Sequence, residues 1–283
     1  MTLDQYTDTL TKRFVADGYT RAEATWCIRD IFAALKGWTR AQLVTNGDRE
    51  VTDELSARVE GVMERIDRGT PIQYALGRAR FCGMWLTVTP AVLIPRPETE
   101  QLVDMIADSA AGRRNLRVLD IGTGSGCIAI ALARALDGAE VTATDISAEA
   151  LAVAEANART LGAQVTFTRE DILSARPRAA SADIIVSNPP YITPSEQSQM
   201  SPRVLDHEPH SALFVPQDDP ALFYKAIASY AATALTESGV LWLEINPLYA
   251  DVTLDAVKAA GLTDAELIRD ERGKNRFIKA CRP

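Results

Sequence analysis

Histidine, cysteine and positive charge are all scarce in this chain. Two of its 283 residues are histidines. His207 and His210 have HxxH spacing, but no cysteine or carboxylate pattern completes a metal site around them, so no metal is expected. The four cysteines, Cys27, Cys82, Cys127 and Cys281, lie far apart. That argues against a zinc cluster or a disulfide framework and fits a reducing cytoplasm. No apolar run approaches the ~20 residues of a membrane span. The first residues, MTLDQYTDTLTKRF, lack the apolar stretch of a signal peptide. The formal net charge is −8, whereas a protein that grips nucleic acid over many phosphates is more often basic, at least locally. Direct sequence-specific nucleic-acid binding is therefore not expected.

What is present falls into three stretches. Residues 1–75 read as a small bundle of four or five helices, a candidate recognition domain. Leu55, Val59, Val62, Met63 and Ile66 recur at helical spacing, and Trp26, Ile28, Ile31, Phe32 and Leu35 mark an earlier apolar helix. Residues 76–95 change to a short-period, strand-like pattern with turns at Gly83 and Pro90, which predicts a β-hairpin linker. From 96 to 283 the pattern becomes a helix starting near Glu98 and then alternating strands and helices, with strands expected at 117–120, 141–144, 165–168, 183–187 and 240–244. Such alternation predicts an α/β fold with a mostly parallel, doubly wound sheet. The closing segment reads as two strands around a polar turn and is expected to place an antiparallel strand at the sheet edge.

The first motif that carries chemistry is VLDIGTGSG at 118–126. A buried strand ends at Asp120, and the glycines at 122, 124 and 126 let the backbone turn and approach a ligand closely. The spacing differs from the dinucleotide GxGxxG, and no lysine is present to cradle a phosphate, so ATP use is not expected. Asp120 is awkward beside a pyrophosphate but well placed for a positively charged amino group. Asp145 closes the second strand, where a carboxylate accepts from both hydroxyls of a ribose. Gly122, Thr123, Gly124, Ser125, Gly126, Asp120 and Asp145 together resemble the S-adenosylmethionine site of Rossmann-like methyltransferases. In such folds Asp171 lies where adenine is contacted, and Ile172 could pack on the ring face.

The second motif, Asn188-Pro189-Pro190-Tyr191, follows the fourth strand. A side-chain amide nitrogen is a poor nucleophile because its lone pair is delocalised. Two acceptors on its hydrogens orient it and favour pyramidalisation, and the Asn188 side-chain oxygen and the Pro189 carbonyl are suitable. The prolines stiffen the loop and remove competing donors. Tyr191 offers a flat face to a planar amide or base. No strong general base is required when the proton leaves after methyl transfer, so positioning and electrostatics supply most of the acceleration.

These pieces, with LIPRPETE at 93–100, EPHSALF at 208–214 and RDERGKNRF at 269–277, resemble the bacterial release-factor glutamine methyltransferases, the HemK/PrmC family. The resemblance implies S-adenosylmethionine as cofactor, S-adenosylhomocysteine as product, and the glutamine of the GGQ motif of peptide-chain release factors as substrate. It carries Asn188 over to the cofactor site as well, and Asn188 to Tyr191 to the substrate site. It also implies a role near the cleft for Arg96, Glu98 and Glu100. Phe81 has two readings, a wall of the glutamine pocket or a core side chain. Glutamine methyltransferases of ribosomal proteins share LIPRP and the tetrapeptide. Amino methyltransferases of DNA or RNA bases share the tetrapeptide but need a base-flipping pocket and usually a basic region, and neither is apparent. One departure is Asn246, where the family pattern expects glycine.

Overall fold

The computed structural model describes residues 1–283 and divides them into two compact units, Met1–Arg78 and Ala79–Pro283. The first unit holds helices α1 (Leu3–Ala16), α2 (Arg21–Lys36), α3 (Arg40–Thr45), α4 (Asp53–Asp67) and α5 (Ile72–Leu76). Three of them open on the same device. Thr2, Thr20 and Thr39 cap the N-termini, and Gln5, Glu23 and Gln42 reach back to the cap backbone, so each box satisfies orphan donors that the helix leaves behind. The expected stripe on α4 is buried in full, from Leu55 to Ile66. On α2 the burial passes through Ala24, Cys27, Ile28, Ile31 and Phe32. Trp26 points the other way, 65% exposed, with the Arg29 guanidinium over its ring. The helical period places Trp26 off the buried stripe despite its size.

The hairpin β1 (Arg78–Phe81) and β2 (Met84–Thr87) belongs to the second unit from Ala79 onward and is turned by Cys82 and Gly83, both at positive φ. Phe81, Met84 and Leu86 are buried in this unit's core, so the hairpin is packed against the sheet's helices and is more than a spacer. The chain continues through α6 (Pro97–Ser109), β3 (Arg117–Ile121), α7 (Cys127–Ala135), β4 (Glu140–Asp145), α8 (Ala148–Leu161), β5 (Val165–Arg169) and β6 (Ala182–Ser187). A 3₁₀ turn and the short helices α9 (Pro202–His207) and α10 (His210–Leu213) lead to α11 (Leu222–Ala234), β7 (Leu235–Glu244), α12 (Ala250–Ala259), β8 (Thr263–Arg269) and β9 (Asn275–Cys281).

The seven strands run in the order β5-β4-β3-β6-β7-β9-β8. The first five are parallel, and β9 is antiparallel to both β7 and β8. The antiparallel strand thus lies one place inside the edge that the sequence pattern suggests. β8 forms the border, and the closing hairpin folds β9 back into the slot beside β7. Neighbouring residues on a strand face opposite cores. Val118 joins a cluster with α6 and α7, whereas Leu119 and Ile121 join one with α11 and α12, as a sheet covered on both faces requires. The chain leaves β3 toward β4 and β5, then returns to place β6 on the other side of β3. This reversal opens a crevice at the carboxyl ends of β3 and β6, where open α/β sheets bind ligands.

Candidate active site

The glycine turn and the Asn-Pro-Pro-Tyr loop leave β3 and β6 on either side of that crevice. The Ser187 hydroxyl donates to the Ile121 carbonyl at 2.6 Å and ties the two strand ends together. Between them lies a cavity of about 380 Å³, within the size range of small-molecule sites. Gly122 to Ser125, Asp145, Asp171, Ile172, Asn188, Pro189 and Pro190 line it, and Arg96 reaches its edge.

The turn is built from backbone bonds. The N–H groups of Gly122 and Thr123 both donate to the Thr144 carbonyl at 2.9 Å. Gly122 and Gly124 have φ of +74° and +55°, and a Cβ at either would meet open space. Glycine is needed there for the backbone conformation, and it leaves the floor of the cavity bare. Gly126 is likewise at positive φ, +82°, and has a second task. It does not line the cavity, and a Cβ on it would come within 3.0 Å of the Ala154 side chain on α8. It serves close helix packing, and of the five turn residues expected at the cofactor it is the one that does not line the cavity.

Asp120 lies beneath the turn and is fully buried. One of its oxygens accepts from the Thr123 hydroxyl at 2.6 Å and from the Ala129 N–H at 3.2 Å. The other, Oδ1, has no partner, and neither has the Ser125 hydroxyl. Burial pushes the Asp120 carboxyl up to about 7, offset in part by those two hydrogen bonds. Asp145 is held by the N–H of Gly124 on Oδ2 and of Ser147 on Oδ1, both at 2.9 Å. A carboxylate has about four acceptor positions, so two remain for a ligand. Asp171 accepts from the Leu173 N–H at 3.0 Å. Two further side chains complete this end, Ile146 and Leu173. They are 55% and 48% exposed yet line the cavity with Ile172, an apolar slot suited to a flat ring. Ile146 directly follows the end of β4 and Leu173 stands four residues past the end of β5, large apolar residues where solvent would otherwise meet them.

The other side of the cavity is assembled from distant segments. The N–H groups of Tyr191 and Ile192 donate to the Leu213 carbonyl, and Val215 N–H donates to Ile192, so the tetrapeptide loop is zipped to the SALF stretch. Glu208, with its side chain 1% exposed, accepts from the Ile94 N–H and from Arg96 at 2.6 Å. It thereby fastens the LIPRP loop to the same stretch. The Asn188 side-chain nitrogen donates to Thr99 Oγ1 at 3.3 Å, and Thr99 donates to Glu244 at 2.7 Å. The Tyr191 hydroxyl meets the other Glu244 oxygen at 3.5 Å. Burial raises the Tyr191 phenol well above its ordinary value, with the Glu244 charge adding to it. A second cavity of about 260 Å³ adjoins the first and shares Leu93, Arg96, Asn188, Pro189 and Ala212 with it, and Tyr191 lines this second space only.

Two expected substrate residues lie elsewhere. Phe81 is fully buried among Leu86, Leu102 and their neighbours, because the hairpin turns it inward onto α6. Glu98 lines neither cavity, although its charge raises the carboxyl of Glu244. Glu100 anchors the hairpin by accepting from the Cys82 N–H at 3.0 Å. Asn246 makes the geometry of its strand end explicit. Its side-chain nitrogen donates to the Tyr191 carbonyl at 3.0 Å and to Glu196, and its oxygen accepts from the Leu248 N–H. Asn157, unremarked in the sequence, bonds both backbone groups of Thr87 and the Ser125 carbonyl, bracing the glycine turn against the hairpin. His210 Nε2 donates to the Leu205 carbonyl at 2.8 Å, and its ring meets Phe214 edge-on. No group of three His, Cys, Asp or Glu side chains is placed to hold a metal, and no helix is long and apolar enough to cross a membrane.

Known proteins share this architecture. A methyltransferase from Pyrococcus furiosus superposes with a TM-score of 0.52 at 17% identity, over 81% of this chain and 98% of that one. A T. thermophilus 16S rRNA methyltransferase solved with AdoMet and guanosine gives 0.52 at 19% identity, over 73% and 50%. These likenesses establish the fold. The family models for the methyltransferase small domain and the PrmC N-terminal domain match residues 98–209 and 6–77. Among curated relatives, the release factor glutamine methyltransferase of Bacteroides thetaiotaomicron is 48% identical over 79% of this chain and 80% of its own length. That of Bordetella pertussis is 39% identical over 95% and 98%. With such identity across nearly the whole length, the chain belongs to the release factor glutamine methyltransferase family.

Proposed function

We propose that the enzyme transfers a methyl group from S-adenosylmethionine to the side-chain amide nitrogen of the GGQ glutamine of a peptide-chain release factor. The observation that carries this reading is the pair of adjoining cavities that meet at Asn188 and Pro189. One has a bare glycine floor, a ribose-type carboxylate and an apolar slot. The other has Tyr191 as a wall.

The residues fit the cofactor. The unpartnered Ser125 hydroxyl lines the cavity, and the unpartnered Asp120 oxygen lies buried behind the turn and lines neither cavity; a positively charged amino-acid moiety would bond the first and offset the charge of the second across the turn. Asp145 has acceptor capacity left for ribose hydroxyls, and Ile146, Ile172 and Leu173 would flank the adenine. When bound, S-adenosylmethionine supplies an electrophilic methyl on a positively charged sulfur.

The chain's own work is to present the glutamine nitrogen to that methyl. The Asn188 side-chain oxygen and the Pro189 carbonyl accept the two amide hydrogens and hold the nitrogen's lone pair toward the first cavity. Two prolines and the Leu213 carbonyl keep the loop rigid, so little reorganisation is left for the reaction. Tyr191 packs on the face of the amide and keeps water away. Once methylated, the amide nitrogen would be acidic, and the Asn188 oxygen and Pro189 carbonyl that hold its hydrogens would guide the surplus proton toward solvent.

A lone side chain offers too little surface for specificity, since stable protein interfaces bury ~1,200–2,000 Å² in total. We assign recognition of the folded release factor to the helical unit. The test is mass spectrometry of a release factor incubated with enzyme and cofactor, beside a short GGQ peptide and duplex DNA. One added methyl on the GGQ glutamine is expected, with DNA unmodified; methylated DNA and an unmodified factor would overturn the reading. Removal of residues 1–75, with the product confirmed folded, should reduce methylation of the whole factor more than of the peptide.

A further inference from the structure

We propose that Glu244, acting through Thr99, is a positioning residue that fixes which end of the Asn188 amide faces the substrate. The inference rests on the methyltransferase reading above and concerns two residues to which neither the glycine turn nor the tetrapeptide belongs, Thr99 of LIPRPETE and Glu244 at the end of β7. An asparagine amide has an accepting and a donating end of nearly the same shape. The substrate NH₂ needs the accepting end. Turned over, Asn188 would point its own NH₂ at the glutamine NH₂, two donors facing each other, and catalysis would fail.

The structure contains a device that sets the direction. Thr99 and Glu244 are 2% and 1% exposed, and Thr99 touches the first cavity while Glu244 lies behind it, so water has little access to the bond between them. Ionised Glu244 can only accept. Thr99 has one hydroxyl proton and spends it on Glu244 at 2.7 Å. Its oxygen then has only lone pairs to offer Asn188, so Asn188 must turn its NH₂ toward Thr99, as observed at 3.3 Å. The Asn188 oxygen is left for the substrate. Tyr191 also donates toward Glu244, at 3.5 Å, and agrees in direction. The carboxylate at the end of β7 thus polarises a chain that ends at the reacting amide.

The relay works while Glu244 is ionised. Arg276 from β9 and Arg96 before α6 draw its carboxyl down, Glu98 on α6 pushes it up, and Thr99 holds the ionised form; burial outweighs these and raises it to about 7. As pH falls through that value, Glu244 gains a proton of its own, Thr99 is released from donating, and Asn188 is free to turn. Turnover should therefore decline on the acidic side. Asp120 titrates in the same range but belongs to the cofactor end, so saturating cofactor separates the two.

The experiment measures single-turnover methylation of a release factor at saturating cofactor, from mildly acidic to mildly basic pH, for wild type, Thr99→Val, Thr99→Ser, Glu244→Gln and Asn188→Ala. Thr99→Val and Glu244→Gln should slow turnover about tenfold, the worth of a buried hydrogen bond of ~1.4 kcal/mol, and flatten the acidic limb, with cofactor affinity within a small factor of wild type. Thr99→Ser keeps the hydroxyl and should keep both rate and limb. Wild-type rate and limb in Thr99→Val, beside an impaired Asn188→Ala, would overturn the relay and leave the methyltransferase reading standing. So would a Thr99→Ser variant as slow as Thr99→Val, which would mean packing and not polarity. Undiminished turnover in Asn188→Ala would overturn the role given to Asn188 and the relay with it, while a wild-type enzyme that leaves the release factor unmethylated would overturn the methyltransferase reading itself. If a variant fails to fold, wild type still decides: a rate flat through pH 7 at saturating cofactor overturns the proposal.

Discussion

The two walls of the crevice are built in opposite ways. The cofactor wall is local. Gly122 to Ser125 sit in one turn, and Asp145 closes the next strand over, bonded to Gly124. The substrate wall is assembled from far apart. Asn188 is oriented by Thr99 and Glu244, its loop is fastened to Leu213, and Arg96 is locked by Glu208. A local wall depends on backbone conformation, which a few glycines determine. An assembled wall depends on buried polar side chains that satisfy one another, and partly broken networks of that kind are costly. The comparison therefore expects the walls to fail differently: damage to the first should appear in cofactor affinity, and damage to the second in turnover, substrate affinity and stability.

The largest effect is expected at the seam. Asn188→Ala removes the acceptor that holds the reacting nitrogen, and turnover should fall about 100- to 1,000-fold, as when a group that stabilises the transition state is deleted elsewhere. Cofactor affinity should change far less, although Asn188 lines the first cavity. A loss confined to cofactor affinity would place Asn188 on the wrong wall.

Much of the cofactor wall was legible in the sequence because its residues are neighbours in the chain. The glycine turn and the strand-end Asp145 announce themselves by position, as does the tetrapeptide on the facing wall, and strand alternation placed them in one crevice. The fold was readable for the same reason, since the period of burial in β3 to β7 is written in consecutive residues. What stayed hidden was pairing at a distance. Nothing near Thr99 marks it as a partner of Glu244, and Glu208 looks like a loop acid until Arg96 is set beside it. Trp26 misled, and Phe81 left two readings open, for a related reason: a large ring signals burial or binding by type, while the twist of its own strand or helix decides where it points.

Asp145→Ala and Arg96→Ala sharpen the contrast as a pair. The first removes a charged acceptor worth ~1.5–3 kcal/mol, so the cofactor dissociation constant should rise about 10- to 100-fold, read by calorimetry, while the release-factor KM at saturating cofactor stays near wild type. The second strips a nearly fully buried carboxylate, Glu208, of its cationic partner and leaves it the Ile94 N–H alone. Stability should drop by about 1.5–3 kcal/mol, visible in thermal melts, and the release-factor KM should rise. If both variants altered the same constant, the division into two walls would be wrong.

The smallest effect tests whether the cofactor wall is held under strain in the absence of its ligand. Asp120 is fully buried, one oxygen is unpartnered, and its carboxyl is raised from 3.8 to about 7. Between those values the folded chain keeps a proton that the unfolded chain has lost, so stability falls as pH rises through that window and levels off above about 7. At pH 8 the ligand-free protein carries an ionised carboxylate with no countercharge. Asn at this position keeps an oxygen for Thr123 and Ala129 and never ionises. Asp120→Asn should therefore melt higher than wild type at pH 8 without cofactor, by a few degrees, since about 1 kcal/mol corresponds to ~2–4 °C for a domain of this size. The two should converge as pH approaches 4. S-adenosylmethionine should reverse the order at pH 8, because its positive charge satisfies the aspartate and gains less from the amide. Parallel melting curves across pH, or an equal rise in both proteins on adding cofactor, would show that Asp120 is a structural residue of the turn with no part in holding the ligand.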